Sequence, residues 1–340
     1  MARRRYILII VLLALSLFAA AATALVVGSV HLTLGDVFRT LAAFGRSGGE
    51  DISATILFSI RMPRILLAMG VGASLAVSGA GFQGFFRNSL ADPYVIGASS
   101  GAALGAAIAL VLALPAWGPL SSASLFAFAG ALFATFLAFL ISKSAGDPPP
   151  AAALLLAGTA LSSLFSALLS LILVLRDKDM HRVYYWLLGG LGGATWIELL
   201  ATVPVMALGC AMVFLAARPL DLMVQGEEAA ESLGLDIKKA RLIVAMGASL
   251  AAAAAVSATG IIGFVGLVAP HAVRMVTGPS HRRLLPASAM GGALLVLLAD
   301  IVARTIAAPL ELPIGIVTSA VGAPFFLYLL ARRGRSLGRL

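Results

Sequence analysis

Residues 65–86 read ILLAMGVGASLAVSGAGFQGFF, 22 residues without a charge. A bilayer core of about 30 Å takes about 20 apolar residues at a helical rise of 1.5 Å each, so this length selects a membrane span. Small residues recur through it from Ala68 to Gly84, and the next run repeats the device with Gly97, Gly101 and Gly105, four apart. Such spacing lets helix backbones approach closely where lipid supplies no hydrophobic drive to associate. A tightly packed bundle is expected.

Working outward, apolar runs predict membrane helices near residues 7–29, 65–86, 93–114, 120–142, 151–175, 196–217, 240–259, 261–276, 284–306 and 313–331. The breaks between them carry proline or charge, as at Arg87-Asn88, Asp92-Pro93, the 146–150 segment GDPPP, and His281-Arg282-Arg283, which end apolar helices for steric and solvation reasons. The fold class is therefore an all-α membrane protein of about ten transmembrane helices in a compact bundle, with residues 1–340 forming a single transmembrane domain. A chain that is 61% hydrophobic and 11% charged lies outside the soluble globular range. The run from Ile7 is longer than the apolar region of a secretory signal and reads as a retained helix. Pro270 and His271 make 261–276 a shorter or broken element.

With the N-terminus in the cytoplasm, ten crossings return the C-terminus there, and the 24 Lys and Arg divide as 16 inside and 8 outside. The tail Arg332, Arg333, Arg335 and Arg339 contributes to that bias, which follows the positive-inside rule. The net charge of +9 thereby finds its place at the membrane face, and no nucleic-acid partner is needed to explain it. The lone Cys210 lies in an apolar run and excludes an intramolecular disulfide.

No Gly-x-x-x-x-Gly-Lys-Ser/Thr loop occurs, so any ATP must be hydrolysed by a partner, and no hydrolase motif is present. An ion-coupled carrier needs ionisable residues deep within helices; Asp300, Arg304, Glu311 and His271 come nearest. Asp300 and Arg304, four apart on one helical face, suit an internal pair. A weak internal echo relates Gly81–Phe85 to Gly263–Leu267, of the kind duplicated transporters show.

The longest polar stretch, residues 221–241, reads DLMVQGEEAAESLGLDIKKAR. Leu222, Met223, Ala229, Ala230 and Leu233 recur at near-helical spacing among acids, which predicts two short cytoplasmic helices joined at Gly234. Such a segment is either a solvated connector or a helix shaped to seat in the groove of a cytosolic partner. Thr159, Ser162, Ser163 and Ser166 give the 151–175 helix a weakly polar character that suits either a translocation wall or helix packing.

Taken in order, the segments RMPR at 61–64, GFQGFFRNSLADP at 81–93, GASSGA at 97–102, LLLAG at 154–158, YWLLGG at 185–190, GFVGLVAPH at 263–271, DIVAR at 300–304 and ELPIGIVT at 311–318 resemble the FecCD-type permeases of ABC importers for ferric siderophores, haem and vitamin B12. The resemblance implies a multi-pass protein of a prokaryotic inner or plasma membrane, working as a homodimer or a dimer of related permeases. It implies two cytosolic ABC ATPase subunits that use ATP and Mg, an extracytoplasmic binding protein that delivers substrate, and no cofactor or catalytic residue on this chain. Iron chelate is the first expected cargo, haem included, with vitamin B12 or another corrinoid second; an ion-coupled secondary transporter is the alternative.

By the same resemblance Arg61, Arg64 and Arg304 match positions that receive acidic residues of the binding protein, and the topology places all three at or near the outer face. Asn88 and Leu90 match a cytoplasmic gate whose second segment falls at Ala151 and Ala152. Ser89 stands where the family usually has proline, and some relatives carry hydroxyl residues at 151 and 152. Val224, Gly226, Glu227, Ala229, Ala230, Leu233, Gly234 and Leu235 match the coupling helices that rest on the ATPase. The translocation path is expected between two subunits.

Overall fold

The computed structural model describes residues 2–28, 33–42, 52–118, 120–146 and 149–337. Asp147, Pro148 and Arg339 lie outside them, as do the side chains of Glu227, Arg332, Arg333 and Arg335. The order is α1 (Ala2–Val26), α2 (Leu34–Ala42), α3 (Ile52–Ala54), a π-helical turn (Thr55–Arg61), α4 (Met62–Phe85), α5 (Ala98–Val111), α6 (Ser122–Ser142), α7 (Ala151–Leu175), α8 (Met180–Leu187), α9 (Trp196–Leu215), α10 (Ala217–Met223), α11 (Glu227–Ser232), α12 (Ile237–Thr259), α13 (Val265–Thr277), α14 (His281–Thr305) and α15 (Ile314–Leu337). Among the described residues seven helices are long and apolar enough to cross a membrane, and three shorter apolar ones cover Ala98–Val111, Val265–Thr277 and Ile314–Leu329.

All ten apolar runs are helical, and the differences lie at their ends. The run expected to be helical from residue 93 starts only at Ala98, because Asp92-Pro93 opens a turn and Gly97 adopts φ +90°. The run expected from 261 starts at Val265, after Gly260 at φ +71° and Phe264 at φ +68°. Single left-handed residues end helices, and glycine takes that conformation without strain. Four elements had no counterpart in the sequence reading: α2, α3, the π-helical lead into α4, and α8.

Helix α4 is the hub, packed against α9, α12, α13 and α14 and buried along almost its whole length. Its glycines allow this. A Cβ at Gly72 would overlap the Gly292 carbonyl of α14, and one at Gly79 the Gly266 carbonyl of α13. Gly101 of α5 meets Gly130 of α6 in the same way. The two echoing segments also cross, with Gln83 Nε2 donating to Gly266 O at 3.4 Å. By contrast α1 turns Ile7, Leu8, Val11, Leu12, Leu15 and Phe18 outward.

Because a backbone carbonyl cannot swing aside as a side-chain end can, Gly79→Ala is expected to destabilise the bundle by about 1–3 kcal/mol. Gly190→Ala, whose Cβ meets open space, is expected to be neutral. Unfolding of the purified variants by SDS titration measures both.

Candidate functional site: a distal ion-pair cluster, a basal loop and the segment beside it

The C-terminus of α1, the start of α4, the end of α14 and the start of α15 meet at one end of the bundle, here the distal end. Three arginines expected at the outer face converge there, and all are buried: Arg61 is 4% exposed, Arg64 7% and Arg304 4%. They engage the chain itself. Arg64 Nε donates to Asp300 Oδ1 at 2.9 Å and Nη1 to Glu311 Oε2 at 2.9 Å. Arg304 Nε lies 3.0 Å from Asp300 Oδ2, which is the internal i,i+4 pair. The last carbonyls of α1 complete the cluster: Arg61 Nη1 donates to Leu25 O and, at 2.9 Å, to Val26 O, and Arg304 Nη1 donates to Val27 O at 3.2 Å. Cations at a helix C-terminus meet the negative end of its dipole and its orphan carbonyls.

A cavity of about 490 Å³ opens beside this cluster, lined by Arg64, Glu311, Arg182, Glu198 and the 189–193 loop. Of the three arginines Arg64 alone lines it. The loop is stitched in by backbone hydrogen bonds, Gly190 N to Thr259 O at 2.7 Å and Ile314 N to Gly189 O at 3.0 Å. Gly189 at φ +69° rests on the Ile261 carbonyl, so α8, the loop and the ends of α12 and α15 form one distal rim.

At the basal end, α4 runs into the loop bearing Asn88 and Leu90. Arg87 turns the chain at φ +49°, and Asn88 Oδ1 then accepts from Leu90 N at 2.9 Å, a self-contained Asx turn. Ala151 and Ala152 open α7 nearby: Ala91 and Leu154 share one buried cluster with Phe85. Arg241, 7% exposed, joins the two sides. It donates to Pro149 O at 3.2 Å and lies over the Phe85 ring at 5.8 Å. Sequence reasoning assigned Arg241 no role, since the ends of α4 and α7 are distant from it in the chain.

Two short helices do form around the 221–241 segment, but over residues 217–232, and the joint between them is elsewhere than expected. α10 and α11 meet at Gly226, φ +123°, whereas Gly234, φ +80°, ends α11 ahead of α12. The φ values require glycine at both points, and only the second was identified as a joint. Val224 and Leu233 are exposed at 52% and 65%, whereas Ala230 is buried against Met223 and Ile237. Asp236 starts α12 by accepting from Lys239 N at 2.9 Å; that hydrogen bond, with the Lys239 ammonium, holds its carboxyl below the usual aspartate value.

A contact invisible in sequence ties this segment to the bundle. Asp221 of α10 accepts from His281 N at 2.7 Å and from Ser280 Oγ at 3.0 Å, and its Oδ1 lies 2.7 Å from His281 Nδ1. The orphan N–H groups that open α14 are thus capped by a carboxylate from another helix, where negative charge suits the dipole. The buried His281 ring lies on Gly84 near the end of α4, where a Cβ would come within 2.6 Å of Nε2. Helix α14 therefore connects Asp221 at the basal end to Asp300 and Arg304 at the distal end.

The hydroxyls of α7 separate. Thr159, Ser163 and Ser166 lie exposed along one stripe, and Ser163 Oγ donates back to Thr159 O at 3.1 Å. Ser162 turns inward, toward the close approach of Gly97 to α7. The stripe runs beside exposed Leu156, Leu164 and Leu171, so most of α7 is uncovered by its own chain.

Seven membrane-length helices make this a multi-pass membrane protein. The FecCD transport family matches residues 8–332, and the chain belongs to that family of transport permeases. It is 46% identical over 286 residues to the cobalamin import system permease protein BtuC of Halobacterium salinarum, covering 84% of this chain and 76% of that one. Identity to the hemin transport system permease protein HmuU of Yersinia pestis is 41%, over 91% of this chain and 92% of that one. A solved structure described as an inward-facing conformation of a metal-chelate type ABC transporter superposes with a TM-score of 0.84 at 32% identity, covering 95% of this chain and 99% of that one.

Proposed function

We propose that the chain is the membrane permease of an ATP-driven importer for metal chelates: ferric siderophores, haem or corrinoids. The observation that carries this reading is a family match running nearly end to end, among relatives named for cobalamin, hemin and ferric citrate. In this reading ten helices cross the membrane, the basal end with both termini is cytoplasmic, and two ATPase subunits rest on α10 and α11 through Val224, Leu233 and their neighbours. ATP and Mg belong to those subunits. The uncovered hydroxyl stripe of α7 faces a second permease copy, and substrate passes between the two.

The binding protein docks at the distal end. An acidic residue of that partner reaching the outer cavity competes with half-exposed Glu311 for Arg64, while Arg61 and Arg304 hold α1 and α14 together behind it. Asn88, Leu90, Ala151 and Ala152 close the basal end. ATP-driven movement of α10 reaches that gate through Asp221, His281 and Gly84, and the distal rim through α14, which alternates access. Among the described residues the fully buried carboxylate is Asp300, and two guanidinium groups lie within 3.0 Å of it, which favours a structural role over carriage of a proton or sodium ion.

The test is ATP hydrolysis by the reconstituted permease–ATPase complex on addition of binding protein loaded with ferric siderophore, haem or cobalamin. Several-fold stimulation by one ligand class, lost when residues 224–235 become a flexible linker, is expected. Equal activity with and without every loaded binding protein contradicts the proposal.

A further inference from the structure

A second cavity, of about 340 Å³ and almost wholly apolar, lies between α6, α9 and α12, far along the chain from the distal cluster. Phe136 and Phe139 of α6, Met212 of α9, and Leu242 and Met246 of α12 line it. Phe136, Leu242 and Met246 are more than half exposed, so the groove opens sideways, into the layer that lipid chains occupy around a membrane helix. Its floor is closed by Ala245.

The direction of the groove is fixed by its helices. α6 reaches the basal end at Lys143 and α12 leaves that end at Ile237. Lining residues Leu132 to Phe139 and Leu242 to Leu250 therefore span from one turn inside the basal boundary toward the membrane centre. Residues three or four apart share a helix face. Lys143 is four beyond Phe139, and Lys238 and Lys239 are four and three before Leu242. Three ammonium groups thus lie one turn below the mouth on the groove's own faces; Lys239 also pairs with Asp236 at 3.1 Å, a contact that is largely exposed and weak on that account.

We infer that this groove is a binding site for an anionic phospholipid of the basal leaflet, with one acyl chain laid between α6 and α12 and the phosphate held by Lys143 and Lys239. Apolar walls in line with a cationic rim match an acyl chain in line with an anionic headgroup, whereas a zwitterionic lipid would bring a trimethylammonium cation beside the same lysines. Lipid seated there touches α12, the helix that starts from the α11 segment. The inference stands apart from the importer reading, since it uses only the membrane fold and these side chains.

The experiment is native mass spectrometry of the full chain released from nanodiscs of equal phosphatidylglycerol and phosphatidylcholine. The wild type is expected to retain phosphatidylglycerol in preference to phosphatidylcholine, and the preference to fall about fivefold for each lysine removed in Lys143→Ser and Lys239→Ser. Both changes are at the surface and leave the core intact. Met246→Trp, which fills the groove from its rim, is expected to lower bound lipid of either kind. No headgroup preference in the wild type, an unchanged preference in the double lysine variant, or a chain that emerges as a lipid-free dimer with the groove covered by a second copy, each overturns the inference.

Discussion

Asp300→Ala is expected to destabilise the permease by about 3–5 kcal/mol, the cost of breaking a buried ion pair by removing one partner. Asp300 is 0% exposed and faces both Arg64 and Arg304. Without it three buried guanidinium groups share Glu311 and the α1 carbonyls, and desolvated like charges lie close together. Removing an arginine is milder: Arg304→Met leaves Asp300 paired with Arg64 and takes away one of the two cations. Glu311→Gln is milder still, because its side chain is 37% exposed and solvent screens the loss. SDS-induced unfolding of the three variants should rank them in that order, and an Asp300→Ala protein as stable as Glu311→Gln would show that the cluster does not hold the distal end.

The second large effect is expected at Asp221. Asp221→Ala leaves His281 N, Ser280 Oγ and His281 Nδ1 without their acceptor in a largely buried position, and hydrogen bonds to a charged group contribute about 1.5–3 kcal/mol each. More informative than the stability loss is its functional pattern. If α10 drives α14 and α4 through this carboxylate, the variant keeps basal ATP hydrolysis in the assembled complex but loses stimulation by loaded binding protein. Asp221→Asn, which retains an acceptor oxygen for the α14 N-terminus, is expected to recover part of the stimulation. A merely structural role would lower basal and stimulated rates together, and their ratio separates the two cases.

Much of this architecture was legible in the sequence because it rests on local properties. Length and apolarity mark α1, α4, α6, α7, α9, α12 and α14 as spans, and the fourfold glycine spacing of α5 marks a close approach that Gly101 makes with Gly130. Helix starts were misjudged where one residue took a positive φ: Gly97 and Phe264 are ordinary letters in an apolar run until the backbone is seen. α8 was missed because its residues, HRVYYW among them, are too polar and too few to stand out as a span.

The site was legible by residue but not by contact. The three arginines were identified and lie together, and the pairing of Arg304 with Asp300 was read from their spacing; what spacing does not show is that Arg64 also meets Asp300 and Glu311, and Arg304 the Val27 carbonyl, each more than 200 positions away in the chain. Asp221 and Arg241 bounded a segment read as cytoplasmic, and nothing local reveals that one caps α14 and the other reaches Pro149. Long-range pairing of single polar residues leaves no periodic trace, so a carboxylate in a short helix looks the same whether it faces solvent or a helix 60 residues on.

If ATP, and no ion gradient, moves a metal chelate through this chain, transport must follow the ATPase. Uptake of radiolabelled chelate into proteoliposomes containing the permease, its ATPase and a lumenal or external ATP supply, with the loaded binding protein on the opposite face, measures this most directly. Accumulation that requires ATP and binding protein and survives dissipation of proton and sodium gradients is the expected result; uptake by the permease without the ATPase, abolished when those gradients collapse, would contradict it.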